Sequence, residues 1–73
     1  MIRYTPNLGS TIWNNKSQQI FNDAEELKTF IAEKATSFKQ YVGKNVIYHP
    51  DDVALHEGRI ALDGMFVGYC VEN

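Results

Sequence analysis

Three side chains near the end of the chain, His49, His56 and Cys70, are of the types that hold zinc, and Asp51 or Asp52 could supply a fourth ligand. Zinc sites that can be read from sequence carry close ligand pairs such as Cys-x-x-Cys. No such pair is present, so the residues read as two surface histidines near turns and one small interior thiol, and no metal is expected. The same cysteine with either histidine as base would be the start of nucleophilic catalysis. No elbow, helix start or glycine-rich turn precedes Cys70 to lower its pKa or to form an oxyanion hole, and an enzyme is not expected.

The carboxylates Asp51, Asp52 and Glu57 are of the right type for an acid–base pair or a hard-cation site. Adjacent carboxylates after Pro50 are also what a first helical turn or a solvated loop contains, and the Asp-x-Asp-x-Asp-Gly order of a calcium loop is absent. The glycines of "DGMFVGYC" fit neither phosphate-binding pattern, and no cofactor is expected. Gly64 is a turn residue. Gly68 lies inside a strand, where glycine marks a bulge or a close approach of backbone or ligand, and its simplest use is room for an aromatic ring of the helix. Phe66 and Tyr69 are the residue types of an RNA-stacking platform. An unbroken strand alternation puts them on opposite faces, basic residues do not flank them, and nucleic acid is not an expected partner.

The elements that must carry these residues are readable in part. In "NDAEELKTFIAEKATSFKQYVG", Leu27, Phe30, Ile31, Ala35, Phe38, Tyr41 and Val42 recur at three- and four-residue steps, which predicts an amphipathic helix over 24–42. Asp23 with Glu26 forms a capping-box pair, and Asn22 with Glu25 could take the same role. Gly43 closes the helix, with Lys39 and Lys44 at the negative end of its dipole. Glu25, Lys28, Thr29, Glu33, Thr36, Lys39 and Gln40 form the solvated side. At 1.5 Å per residue the helix is about 28 Å long and must be the main packing partner of the rest.

Beyond the helix the period changes to two. "NVIYH" reads as a short strand ended by Pro50. Asp63-Gly64, between "RIAL" and "MFVGYC", predicts a hairpin with a two-residue loop. That loop sets Leu62 opposite Met65, Ile60 opposite Val67 and Gly58 opposite Tyr69. Ile60, Leu62, Met65, Val67 and Tyr69 then share the side towards the helix, and Ala61, Phe66, Gly68 and Cys70 share the other. "HPDDVALHEG" fits a one-turn or irregular connection with Gly58 as its end; a third strand "VALH" fits almost as well. Ile2 and Tyr4 alternate as in an edge strand, "PNLGS" is a loop, and "TIWNNKSQQIF" allows a hairpin about Asn14-Asn15.

The fold class expected is α+β: one domain over 1–73, with one long amphipathic helix packed on a small antiparallel sheet of three to five strands ending in a C-terminal hairpin. Seven basic and nine acidic residues leave a charge of -2, too little for a field that attracts phosphate. One cysteine rules out an internal disulfide and suggests a reducing cytoplasm. The first residues lack a secretory pattern and no apolar run approaches the roughly 18 residues of a membrane span, so a soluble protein without membrane contact is expected. A core this small cannot easily cover Tyr4, Trp13, Tyr48, Phe66 and Tyr69 together, and exposed aromatics on a small domain serve partner binding. The candidate contact residues are Trp13, Tyr48, His49, Phe66, Gly68 and Tyr69. The expected function is that of a small accessory protein, an inhibitor or adaptor of the kind phages and other mobile elements encode, binding another protein or a second copy of itself. The alternative is a small-ligand or nucleotide module with its pocket between protomers, where Gly68, Tyr69 and the His49 to Asp52 turn would converge.

Overall fold

The computed structural model of the chain describes residues 1–7 and 19–72. Strands β1 (Ile2–Pro6) and β2 (Gln19–Phe21) precede helix α1 (Ala24–Tyr41). A single 3-10 turn (Pro50–Asp52) then leads into β3 (Val53–His56), β4 (Arg59–Leu62) and β5 (Met65–Glu72). The five strands form one antiparallel sheet in the order β2-β1-β5-β4-β3, and α1 packs on one side of it, as the α+β reading predicts. No helix among the described residues is long and apolar enough to cross a membrane.

The helix ends follow from local chemistry. Asp23 is extended and its carboxylate accepts the Glu26 N–H at 2.9 Å, satisfying one of the free donors of the first turn. At the other end Gly43 takes φ 83°, which lets its own N–H reach the Gln40 carbonyl at 3.1 Å and the Lys44 N–H reach the Lys39 carbonyl at 2.7 Å. These two bonds are the paired closure that a left-handed glycine permits. Leu27, Ile31, Ala32 and Ala35 are buried, with Phe30 and Phe38 partly so. Tyr41 and Val42, expected on the apolar stripe, instead lie exposed beyond the sheet. Thr36 is not simply solvated: its hydroxyl donates to the Ala32 carbonyl at 2.8 Å and accepts the Tyr48 N–H at 2.8 Å. That bond moors the segment after the helix. "NVIYH" therefore forms no strand; it is a connection without regular structure, and the alternation there places Val46 and Tyr48 inward and Ile47 outward.

Between Pro50 and Gly58 both readings hold in succession. The Pro50–Asp52 turn is closed by the His49 N–H donating to the Asp52 carboxylate at 2.9 Å, and "VALH" is β3. Gly58 does not end a helix. With Glu57 at φ 52° and Gly58 at φ 79° it forms a two-residue hairpin turn of the same kind as Asp63 (φ 49°) and Gly64 (φ 82°).

The β4–β5 pairing departs from the expected register after two residues. Leu62 faces Met65 and Ala61 faces Phe66, but Ile60 faces Gly68 and Arg59 faces Tyr69, so Val67 is an extra residue in β5. Beyond this bulge the alternation is reversed. Gly68 makes it sterically workable. Its φ is 149°, and a Cβ there would lie 2.4 Å from the Thr5 carbonyl oxygen and 2.7 Å from the Tyr4 ring. The ring that occupies the space belongs to β1 rather than to the helix. Tyr4 is fully buried, donates its hydroxyl to the Val67 carbonyl at 2.7 Å, and meets Phe30 edge-on at 6.5 Å between centroids. β1 is accordingly an interior strand between β2 and β5, not an edge. Trp13, and the residues for which a hairpin about Asn14-Asn15 is expected, lie outside the described residues.

Candidate functional site

The bulge decides which side chains share the outer face of the sheet, away from α1. Phe66 and Tyr69 stand three residues apart, which in a regular strand means opposite sides. With Val67 inserted they stand together, ring centroids 5.1 Å apart and 73° between planes, an edge-to-face pair. The Arg59 guanidinium lies over Phe66, 5.0 Å from its centroid. The expected separation of the two aromatics is thus corrected, and an arginine, not singled out in the sequence, joins them.

Registration across the sheet fixes the rest of the face. Thr5, Tyr69, Arg59 and His56 form one cross-strand row, and Ile20, Arg3 and Val71 form the next. Ala61 and Ala54 continue from Phe66. Ile20, Tyr69 and Val71 are each more than half exposed. Both arginines of the chain stand on this face, and none of its nine carboxylate residues does. Among the described residues the one ion pair joins His56 and Glu57 at 3.9 Å, so neither guanidinium is ion-paired there.

The remaining candidates lie elsewhere. Tyr48 is half-buried against the core and its N–H is taken by Thr36; His49 is exposed at the 3-10 turn. The His49 to Asp52 turn adjoins the Asp63-Gly64 end of β4, whereas Tyr69 pairs with Arg59 at the opposite end, and Tyr4 fills the space at Gly68. The convergence needed for a pocket from Gly68, Tyr69 and that turn is not formed within one chain.

Cys70, placed by the sequence pattern on the Phe66 side, is on the helix side because of the reversed alternation; it pairs with Tyr4 and packs partly against the core. It lines a cleft of about 320 Å³ with Ile2, Ala24, Leu55 and Glu72. Burial raises the thiol pKa above its ordinary value, and the Glu72 carboxylate raises it further. Both effects disfavour the thiolate, the form in which a cysteine attacks or binds zinc. Among the described residues no group of three or more His, Cys, Asp or Glu side chains is placed to hold a metal ion.

No family model matches the chain, and neither a curated protein nor a solved structure does so. Any functional reading rests on the residues themselves.

Proposed function

We propose that the protein is a small accessory binding protein, an inhibitor or adaptor, that docks another protein on the outer face of its sheet. The observation that carries this reading is the Arg59–Phe66–Tyr69 cluster, set by the bulge on a face with exposed Ile20 and Val71 beside it. Tyrosine, phenylalanine and arginine are the residue types that supply most of the binding energy at protein interfaces, because each combines a large contact area with directional polar or cation–π contacts. Exposed apolar side chains gathered on one face support a contact surface there.

The test is partner recovery from the native host followed by titration of the purified pair. Phe66→Ala and Tyr69→Ala are expected to weaken binding at least about ten-fold, the scale of an interface anchor. Tyr41→Ala, on the exposed end of α1, is expected to leave it unchanged. The reverse pattern refutes the proposal.

A further inference from the structure

Resting on that docking face, we propose that its occupant is an extended acidic peptide segment, with two carboxylates four residues apart and an apolar side chain midway between them. Charge carries the choice. The strands of this face present Arg3 and Arg59 and no carboxylate, while the acidic residues sit on α1, in the turns and at the strand ends, Glu57 in the β3–β4 turn being taken up by His56. A guanidinium stacked on an aromatic ring keeps its N–H fork free and pre-oriented for a carboxylate. A second copy of the chain, docked by the same face, would bring two more arginines and no strand carboxylate to pair with them. A nucleic-acid strand carries a charge at every step and needs a run of cations; this face offers two arginines, and the Phe66 ring is already engaged by Arg59 and by the Tyr69 ring.

The spacing follows from the register. Arg59 is opposite Tyr69 on one flank of β5, and Arg3 is opposite Val71 on the other. Two strand spacings of about 4.8 Å and a two-residue offset of about 7 Å put the two arginine backbones about 12 Å apart. An extended peptide covers about 13 Å in four residues and returns every second side chain to the same side. Carboxylates at its first and fifth positions then meet the two guanidiniums, and the third residue falls on Tyr69 and Val71, both exposed.

Fluorescence anisotropy and amide shift mapping with synthetic peptides test this directly. The probes are a nonapeptide with glutamates four apart around a central leucine, the same peptide with lysines in their place, one with adjacent glutamates, and a twelve-nucleotide oligothymidylate. The first peptide is expected to bind best, to shift the amides of Arg3, Arg59, Tyr69 and Val71, and to weaken with salt. Arg59→Ala and Arg3→Ala should each cost it about five-fold or more, with partial recovery in the lysine variants. Equal binding of the lysine or adjacent-glutamate peptide, no binding of any peptide, preference for the oligothymidylate, or doubling of the mass by light scattering with loss of the same amide signals each overturns the proposal while leaving the outer face as the contact surface. Shifts confined to α1 and Ile47 overturn the docking face itself.

Discussion

The two sides of the sheet are built from the same strands and differ in what they ask of their side chains. The α1 side is filled by Tyr4, Ile60, Leu62 and Val67 against Leu27 and Ile31, all fully buried, with no buried charged residue among those described. The outer side carries rings and guanidiniums that touch one another yet remain in contact with solvent. The difference teaches that one inserted residue in β5 serves both: it keeps Val67 inside and turns Tyr69 outward beside Phe66.

The largest effect is expected where the two sides meet. Gly68→Val would force a Cβ into the Thr5 carbonyl and the Tyr4 ring and strain a glycine-favouring φ, so no cooperative unfolding transition should remain; a normal thermal melt would show that the bulge is expendable. Next, Leu27→Ala or Ile31→Ala should lower stability by about 2–5 kcal/mol in urea titration, the usual loss for a large buried aliphatic. Tyr4→Phe should cost about 1 kcal/mol, since the Val67 carbonyl keeps its bond from the Asn7 N–H.

The same tyrosine sets an alkaline limit. Burial raises the Tyr4 hydroxyl pKa above its ordinary 10.0 in the folded state. Its contribution is full below the unfolded pKa and falls as pH rises past it, where only the unfolded chain ionises freely. Stability should therefore decline above about pH 10, less so in Tyr4→Phe, as pH-dependent melting would show. The smallest effect belongs to the outer side: Val71→Thr, which keeps a β-branched side chain at an exposed strand position, should shift stability by no more than about 0.5 kcal/mol. A larger loss there would mean that this face serves the fold rather than a partner.

What could be read in the sequence was what is local. Asp23 and Gly43 mark the helix ends by side-chain and backbone chemistry that needs no distant residue. The Asp63-Gly64 loop places its first two residue pairs correctly for the same reason. The register fails one step later because a strand glycine signals a bulge or a close approach without saying where the extra residue stands. The Glu57 turn was hidden because a glutamate at positive φ has no compositional mark. "NVIYH" alternates like a strand, but alternation reports only which side chains point inward, and Thr36 holds that segment on the helix instead of in a ladder. Of the site, Phe66 and Tyr69 were legible as residues; their meeting, and the part of Arg59, depended on pairing across the chain.

The two tight turns also bear on how the chain assembles. β3, β4 and β5 are linked by loops of two residues each, so their closure costs little entropy, whereas β1 must find β5 across some sixty intervening positions. On loop-closure entropy the ribbon of 53–72 is expected to form early and β1 to dock late, its Tyr4 hydroxyl then closing onto the kinked strand. Folding φ-values near zero for Tyr4→Phe and near one in the Asp63-Gly64 hairpin are the expected result.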